Sequence, residues 1–415
     1  MEQRKKIILI GGGFAGLHLA QQLNSSAFDV LLIDKQNHHQ FQPLYYQVAS
    51  ARLEPSNISF PFRKIFQKSN NVEIRLAEVT KIVSSESKIE TSIGDFNYDY
   101  LVIATGCKTN FFGNEQIQKH ALSMKTTEEA IEIRNSILLS FEKYISAKDH
   151  EKESLLNIVL VGAGPTGVEL AGAFSEMKKH ILPRDYPHID FSKLKVILLD
   201  GSKNTLNSMS EESKQASRKY LEEIGVVIRT ETVVTNYDGL TATLNTGETI
   251  LTSNLIWAAG VTGNIIEGIN LEQIIRNRYK VDRFNKIQGT QNIYAIGDIA
   301  YMETPLYPNG HPQLANVAIN QGKNLAVNFL NLLKGKAQKE YEYKDLGSMA
   351  TIGKYRAVVD LPFIKFQGFF AWYIWMFLHL MLILSVRNKL SIFFNWAWSY
   401  IMKDSSLRLI LKSKK

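Results

Sequence analysis

The sequence predicts an α/β fold with two Rossmann-like dinucleotide-binding domains and a C-terminal amphipathic helical segment. The repeated domain is predicted by KKIILIGGGFAGLHLAQQL near the N-terminus and by LNIVLVGAGPTGVELAGAF later in the chain. Each stretch is an apolar strand, a G-x-G-x-x-G turn and an apolar-periodic helix, the start of a βαβ nucleotide-binding unit. The helical segment is predicted by the apolar run GFFAWYIWMFLHLMLILSV, residues 368–386.

Composition excludes several classes of protein. The chain has 415 residues, is 45% hydrophobic and 21% charged, and has a mean hydropathy of −0.12, which excludes a polytopic membrane protein. The net charge is +8. No basic, aromatic-interleaved face predicts nucleic-acid binding. Instead, basic residues outnumber acids after the apolar run, which favours an anionic membrane surface; they are Arg387, Lys389, Lys403, Arg408, Lys412, Lys414 and Lys415.

The chain has one cysteine, Cys107. It therefore has no intrachain disulfide, no CxxC redox motif and no cysteine-rich metal site, and we expect no bound metal. A reducing compartment fits this composition. The four apolar residues before Gly11 are too short for the core of a signal peptide, and we interpret them as a buried first strand.

The first glycine turn carries three separate roles. Gly11 permits the tight turn, Gly13 lets a pyrophosphate approach the backbone, and Gly16 allows the helix to pack near the strand. The helix then presents its positive N-terminal end to the phosphates. Asp34 closes the next strand, DVLLID, eighteen residues after Gly16. We predict that it accepts hydrogen bonds from an adenosine ribose and repels a 2′-phosphate.

The second turn repeats these roles with Gly162, Gly164 and Gly167. Asp200 closes the strand LKVILLD, thirty-three residues after Gly167, because a longer helix and a proline-containing loop intervene. Its position favours NADH over NADPH. An aspartate that only makes a turn at the strand end is the alternative.

Glu169 lies in the first turn of the second helix, two residues after Gly167. One interpretation is an acid that stabilises the helix N-terminus. The other is a carboxylate close to the place where a nicotinamide meets a flavin.

Two later stretches have similar patterns. Residues 72–106 and 226–260 each alternate short apolar runs with Gly, Asn, Asp and Ser, which predicts a small antiparallel meander that returns to a core strand. A further strand, NIYAIGDIA, is followed by a loop and a helix from about Gln313 to Leu333.

The motifs together resemble the two-dinucleotide-binding flavoproteins with a glutathione-reductase-like fold, as do ATG at 104–106 and GD at 297–298. NHHQFQPLYYQVAS (37–50), DYLVIATGCKTNFFG (99–113) and the tail with FFNWAWSYI are similar to type II NADH:quinone oxidoreductases. These are single-subunit respiratory NADH dehydrogenases that do not pump protons. The resemblance implies hydride transfer from NADH to non-covalent FAD, and then transfer of two electrons to a membrane quinone, menaquinone or ubiquinone.

The resemblance also implies residue roles, with Glu169 as the catalytic residue at the nicotinamide edge. The implied FAD-binding residues are Gly11, Gly13, Phe14, Ala15, Gly16, Asp34, Lys35, Gln42, Pro43, Val79, Ala104, Thr105, Gly106, Gly297, Asp298, Ala315 and Val317. The implied NADH-binding residues are Gly162, Gly164, Pro165, Thr166, Gly167, Glu169, Asp200, Gly201, Ala259 and Gly260. The implied quinone-binding residues are Pro43, Tyr45, Asn316, Asn320, Gln321 and His379.

One motif departs from the family pattern. The family carries A-Q-x-A-x-Q where the flavin faces the quinone, and this chain reads ANVAIN at 315–320. Asn316 and Asn320 keep the amide with a reach shorter by one methylene, and the neighbouring Gln321 is a substitute for one contact. The departure concerns quinone geometry or preference more than the fold.

The tail fits a surface-lying anchor better than a membrane span. Nineteen helical residues would span roughly 28 Å, enough for a bilayer core. However, Trp and Tyr are spread through the tail, and His379 lies in the middle of the run. The second segment, LSIFFNWAWSYIM, is short and amphipathic. The resemblance implies monotopic attachment to the cytoplasmic face of the inner membrane, and a homodimer. His379 is either a structural histidine or a quinone-side proton donor.

The predicted domains are an FAD-binding domain (1–120 and 285–340), an NADH-binding domain (121–284) and a membrane-anchoring domain (341–415). The sequence leaves two alternative functions open. One is an NADH-dependent reductase of a small redox protein, and the other is a membrane-bound NAD(H)-binding flavoprotein sensor with little turnover. Because Cys107 has no second thiol, the sequence disfavours disulfide reductases and sulfide:quinone oxidoreductases.

Overall fold

The computed structural model describes residues 4–402 and 407–411. The chain forms two compact units, each assembled from three segments. Unit 1 comprises Met1–Gln40, Phe60–Lys108 and Val261–Asp345. Unit 2 comprises Phe41–Ser59, Thr109–Gly260 and Leu346–Lys415.

The described helices range from one turn to five turns. In chain order they are α1 (Phe14–Gln22), α2 (Tyr45–Ala49), α3 (Phe62–Ile65), α4 (Glu115–His120), α5 (Thr127–Ser146), α6 (Asp149–Leu156), α7 (Pro165–His180), α8 (Leu182–Asp185), α9 (Glu211–Glu223), α10 (Ala315–Leu333), α11 (Phe369–Leu382) and α12 (Val386–Met402).

The described strands are short, and most alternate with helices or turns. In chain order they are β1 (Lys5–Ile10), β2 (Phe28–Asp34), β3 (His38–Gln40), β4 (Ser59–Pro61), β5 (Val72–Leu76), β6 (Val79–Val83), β7 (Lys88–Thr91), β8 (Gly94–Asn97), β9 (Tyr100–Ile103), β10 (Cys107–Thr109), β11 (Leu122–Ser123), β12 (Asn157–Val161), β13 (Lys195–Leu199), β14 (Val226–Arg229), β15 (Val234–Tyr237), β16 (Thr241–Leu244), β17 (Thr249–Leu251), β18 (Asn254–Trp257), β19 (Val261–Gly263), β20 (Ile274–Ile275), β21 (Arg278–Val281), β22 (Ile293–Ala295), β23 (Ala300–Met302), β24 (Ser348–Thr351), β25 (Ala357–Asp360) and β26 (Lys365–Gly368).

Unit 1 is built on a five-stranded parallel sheet with strand order β22-β9-β1-β2-β5. Residues 7–10 of β1 are buried, which explains their uninterrupted apolar sequence, because the central strand of a parallel sheet is covered on both faces. Helices α1 and α10 pack closely. A Cβ at Gly322 would lie 2.4 Å from the carbonyl oxygen of Ala15, so this crossing requires glycine.

Unit 2 contains a second five-stranded parallel sheet, with strand order β11-β18-β12-β13-β14. All of β12 is buried, and α7 follows it directly, as α1 follows β1. The two predicted Rossmann-like units are therefore confirmed.

The predicted meanders were wrong in their first strands. VEIRL (β5) and VVIR (β14) each form a parallel edge strand of the main sheet, paired with β2 and β13. Each follows a helix: α9 alone joins β13 to β14, whereas β3, α2, β4 and α3 lie between β2 and β5. The antiparallel meanders are β6-β7-β8 and β15-β16-β17.

The C-terminal part of unit 2 is an antiparallel sheet, β24-β25-β26, followed by α11 and α12. The expectation of one apolar helical run over 368–386 was wrong, because α11 ends at Leu382 and Ile383 is extended. Ser385 precedes α12, and its carbonyl accepts the amide of Lys389. Within 4–402 and 407–411, no helix has the length and apolarity to cross a membrane.

Candidate active site

The first glycine turn has the geometry of a phosphate cradle. Gly11 has φ +100°, and a Cβ there would lie 2.4 Å from the Ala104 carbonyl oxygen. A Cβ at Gly16 would lie 1.9 Å from the Gly11 oxygen. Nothing lies within 4 Å of a Cβ at Gly13. Gly13 is the N-cap of α1 and makes no side-chain cap hydrogen bond, and the positive N-terminus of a helix favours an anion.

Asp34 is connected directly to this turn. Its Oδ2 accepts the backbone amide of Gly12 at 2.6 Å, and its Oδ1 accepts that of Gln36 at 2.8 Å. Burial raises the pKa of Asp34. Lys35 instead pairs with Glu78 at 2.5 Å, at an exposed position.

The loop at Gly297 and Asp298 is supported by α10. Gly297 has φ +75°, and its amide donates to Gln321 Oε1 at 2.7 Å. Gln321 is fully buried, and its Nε2 has no partner among the described residues. The Cys107 thiol donates to Asp298 Oδ2 at 3.0 Å. A buried amide with an unused donor beside this loop fits a ligand with acceptor atoms, such as the isoalloxazine or ribityl chain of a flavin.

The other residues predicted for FAD in unit 1 lie at strand and helix ends. Thr105 Oγ1 donates to the Asn264 carbonyl at 2.8 Å, and Gly106 has φ +65°. Val79 is buried at the start of β6. Ala315 begins α10, and Val317 is buried one residue after Asn316.

The second glycine turn repeats the first. Gly162 has φ +106°, and a Cβ at Gly167 would lie 1.8 Å from the Gly162 oxygen. Nothing lies within 4 Å of a Cβ at Gly164. Pro165 occupies the first helical position, which needs no amide donor. Thr166 is half-buried next to it.

Asp200 repeats the arrangement of Asp34. Its Oδ2 accepts the Ala163 amide at 2.5 Å, and its Oδ1 accepts the amide of Ser202 at 2.7 Å and the Ser202 hydroxyl at 2.5 Å. Gly201 follows at an exposed position. Ala259 and Gly260 follow the closing strand β18. Each unit thus ties a strand-end aspartate to its own glycine turn.

Glu169 is buried rather than exposed at the helix end. It is 9% exposed, and its Oε1 accepts the amide of Thr351 at 3.3 Å and the hydroxyl at 3.4 Å. Burial raises the pKa of Glu169 to about 8. The carboxyl therefore holds its proton near neutral pH. The sequence analysis missed Thr351, since only the folded β24 brings it to α7.

The residues predicted for quinone binding are divided between the units. Asn316, Asn320 and Gln321 lie on α10 in unit 1, with both asparagines half-buried one turn apart. In unit 2, Pro43 lies in a 3-10 turn and Tyr45 is 2% exposed. Gln42, which was predicted for FAD and not for quinone, is exposed in the same turn of unit 2.

His379 is enclosed by aromatic side chains of unit 2. Its ring stacks on Trp375 with a centroid distance of 4.0 Å, and its Nδ1 lies 2.9 Å from the Trp375 carbonyl oxygen. The Phe41 ring lies edge-on at 6.4 Å. Burial lowers the pKa of His379 to about 4, so this imidazole is neutral at physiological pH. This favours the structural interpretation over a proton donor.

Comparison with known proteins agrees with this geometry. Residues 5–322 match the family model of pyridine nucleotide-disulphide oxidoreductases, and residues 346–403 match that of the NDH2 C-terminal domain. A type II NADH:quinone oxidoreductase of Mycobacterium tuberculosis is 33% identical over 96% of this chain and 89% of its own length. The chain belongs to the type II NADH:quinone oxidoreductase family.

Other members of the family are also similar to this chain. The enzyme of Staphylococcus haemolyticus is 29% identical over 86% of this chain and 90% of its own length. The structure of NDH2 from Plasmodium falciparum in complex with NADH has a TM-score of 0.91, with 21% identity over 99% of this chain and 100% of its own. The resemblance inferred from the sequence is confirmed, as are the flavoprotein fold, the oxidoreductase class and the cofactor FAD.

Proposed function

We propose that this chain oxidises NADH and passes two electrons through non-covalent FAD to a membrane quinone, without pumping protons. The observation that carries the proposal is the pair of equivalent cradles. Each has an open glycine at a helix N-terminus and an aspartate bonded to the same turn, as two dinucleotides in one chain require.

FAD belongs to unit 1. The turn at Gly13 and the amides of α1 hold its pyrophosphate, Asp34 accepts from its adenosine ribose, and the Gly297–Asp298 loop faces its ribityl chain. The bound cofactor supplies the hydride acceptor and the store of two electrons. The roles predicted for the remaining residues rest on the resemblance.

NADH belongs to unit 2. Gly164 and the amides of α7 hold its pyrophosphate, and Asp200 selects a 2′-hydroxyl over a 2′-phosphate, because a carboxylate repels a dianion. Glu169 is the residue at the nicotinamide edge. Its buried carboxyl is a proton reservoir at neutral pH.

The C-terminal helices attach the protein to the cytoplasmic face of the inner membrane. Large apolar side chains are exposed along α11 and α12, which a surface-lying anchor explains; examples are Phe370, Phe377, Val386, Phe394, Trp398 and Ile401. Arg387 and Lys389 favour anionic lipid. A homodimer is part of the proposal through the resemblance alone.

The attachment is tested by liposome flotation of the full chain and of a chain ending at Gly368, which keeps β26. The full chain floats with anionic liposomes and the shortened chain stays at the bottom. Flotation of both would show that another surface attaches the protein.

The activity is tested by mixing the purified FAD-containing protein with NADH and a soluble short-chain quinone. Loss of flavin absorbance with NADH, followed by rapid recovery with quinone, is the expected result. Bleaching without reoxidation by quinone would instead indicate the NAD(H) sensor. Reoxidation by a small redox protein alone would indicate a soluble-type reductase.

A further inference from the structure

A chain of side-chain hydrogen bonds in unit 2 leads from α12 to the buried carboxyl of Glu169. Trp396 Nε1 donates to Gln47 Oε1 at 2.7 Å, and Gln47 Nε2 donates to the Tyr46 hydroxyl at 3.0 Å. Thr351 Oγ1 lies 3.1 Å from the Tyr46 oxygen and 3.4 Å from Glu169 Oε1. The sequence does not predict this hydrogen-bond chain, because the residues that form it lie in four distant segments.

The proton count allows two arrangements of this chain. The Thr351 hydroxyl has one proton and contacts two oxygens, so it donates to only one of them at a time. When Glu169 is ionised, Thr351 donates to the carboxylate and Tyr46 donates to Thr351. When Glu169 is protonated, it donates to Thr351, and Thr351 donates to Tyr46.

The far end of the chain has a fixed polarity. An indole N–H only donates, so the Gln47 oxygen faces Trp396 and its amide protons face Tyr46. One acceptor site of the Tyr46 oxygen is therefore always occupied. In the arrangement with protonated Glu169 the Tyr46 oxygen accepts twice, and its own proton is left to bond outside the chain.

Tyr46 also borders a cleft in unit 2 with a cavity volume of about 50 Å³. Gln47, Arg52 and Lys354 line this cleft with Tyr46, and the remaining walls are mainly aromatic rings of α11 and α12, including Trp372, Trp375, Trp396 and Tyr400. A cavity of this size has room for water, which can bond to the Tyr46 hydroxyl.

The proposed reaction requires a proton from water. NADH delivers a hydride, which carries two electrons and one hydrogen, whereas reduction of a quinone to a quinol adds two hydrogens. We propose that Thr351 and Tyr46 pass this second proton between the cleft and Glu169. They act through Glu169 and are positioning residues. This inference rests on the proposed function, and it goes beyond that function by assigning roles to two further residues.

Each transfer is balanced. A hydronium ion from solvent in the cleft gives a proton to the Tyr46 oxygen and leaves as water, while the Tyr46 proton moves to Thr351 Oγ1 and the Thr351 proton moves to Glu169. Both hydroxyls end with one proton each, Glu169 gains one, and no electron moves. Reversal of the bond directions resets the chain.

The charged groups around Glu169 are consistent with this role. Tyr46 faces it from α2, and burial together with the Glu169 charge raises the pKa of Tyr46, so the phenol transmits a proton without becoming a stable phenolate. Arg52, beyond α2, acts electrostatically on Tyr46, and Glu176, on α7, acts on Arg52. Glu169 itself stores the proton, since burial raises its pKa to about 8.

The first test is infrared spectroscopy of the full-length protein with FAD bound. The infrared band of the protonated Glu169 carboxyl is identified as the band that is absent in Glu169→Gln. In the other proteins, the loss of this band with rising pH gives the titration midpoint of Glu169. Thr351→Val removes a hydrogen bond to the ionised form, so the midpoint rises by about one pH unit. Thr351→Ser restores it. An unchanged midpoint in Thr351→Val would overturn the contact on which the inference rests.

The second test is steady-state turnover with NADH and a short-chain quinone, in H₂O and in D₂O. Tyr46→Phe and Thr351→Val lower kcat about tenfold or more and enlarge the solvent isotope effect, with KM for NADH unchanged. Thr351→Ser keeps most of the activity. The matched controls are Tyr237→Phe and Thr252→Val, which remove buried hydrogen-bonding hydroxyls elsewhere in unit 2 and retain normal turnover.

Different results would overturn the role of Glu169 and the relay through Tyr46 and Thr351. Normal turnover in Glu169→Gln would overturn the role of Glu169 in the proposed function. Slow turnover in Glu169→Gln, with normal turnover in FAD-containing Tyr46→Phe and Thr351→Val, would overturn the relay alone.

Discussion

The side-chain oxygen of Gln321 accepts the backbone amide of Gly297 at 2.7 Å, inside unit 1 and away from solvent. A glutamine predicted to contact quinone thus supports the loop next to Asp298. Gln321→Leu would leave the Gly297 amide unpaired, at a cost of about 1 to 3 kcal/mol. We expect lower FAD retention, seen as a reduced ratio of flavin to protein absorbance. Asn331→Leu, in the last turn of α10, is the control and keeps its FAD. Full flavin content in Gln321→Leu would show that the loop holds without this bond.

Substitutions at Gly164 and Gly167 test nucleotide binding and folding separately. Gly164→Ala meets no atom within 4 Å, so the protein folds and keeps FAD, but the new methyl group occupies the space for a pyrophosphate. KM for NADH rises about tenfold or more. Gly167→Ala would place a Cβ 1.8 Å from the Gly162 oxygen, so this variant fails to fold. An unchanged KM in Gly164→Ala would place the pyrophosphate elsewhere.

Asp200→Asn tests the choice of nucleotide. The amide removes the negative charge that repels a 2′-phosphate, so the ratio of kcat/KM for NADPH to that for NADH rises about tenfold. Asp238→Asn removes a charge from a turn of the same unit and leaves the ratio unchanged. If Asp200→Asn also leaves the ratio unchanged, another group selects the nucleotide.

Buried Glu169 makes the free energy of unfolding decrease as the pH rises, whereas a salt-bridged acid makes it increase. Its pKa is raised from 4.5 to about 8 by burial, so between these values the folded state binds more protons than the unfolded state. Glu169 makes its full contribution to the free energy of unfolding below about pH 4.5. Between about pH 4.5 and about pH 8, this contribution falls by about 1.4 kcal/mol per pH unit. The Glu169→Gln variant has no titrating carboxyl at this position, so its free energy of unfolding does not show this decrease.

The measurement is the difference in Tm between wild type and Glu169→Gln at several pH values. The wild-type protein loses Tm relative to the variant as the pH rises from about 5 to about 8. A difference that is constant over this range would mean that Glu169 is ionised throughout.

The sequence predicted the elements whose determinants are local. The glycine turns and the strand-end aspartates Asp34 and Asp200 follow from spacing, because each depends on a few consecutive φ angles and on a parallel strand pair. The edge strands β5 and β14 were misassigned, since their parallel pairing depends on the long connections from β2 and β13 rather than on their own residues. The break at Ile383 interrupts a run of apolar residues that has no Gly or Pro near the break.

The site was predictable only in part for the same reason. Glu169 was recognisable from its distance to Gly167, but its hydrogen-bond partner is Thr351, which is 182 residues away in sequence. The hydroxyl of Tyr46 and the amide of Gln47 lay within a recognised motif, yet their partners Thr351 and Trp396 belong to distant segments. Contacts of this range carry no local pattern.

The segmented make-up of unit 1 also determines when it can be completed during synthesis. Its edge strand β22 pairs with β9, and α10 covers α1, but both elements are made only after Thr109–Gly260 of unit 2 has emerged. Until then Leu101 and Val102 pair with β1 on one side and lack β22 on the other. Nascent chains released early should need chaperone protection, whereas chains that extend past Leu333 should resist proteolysis.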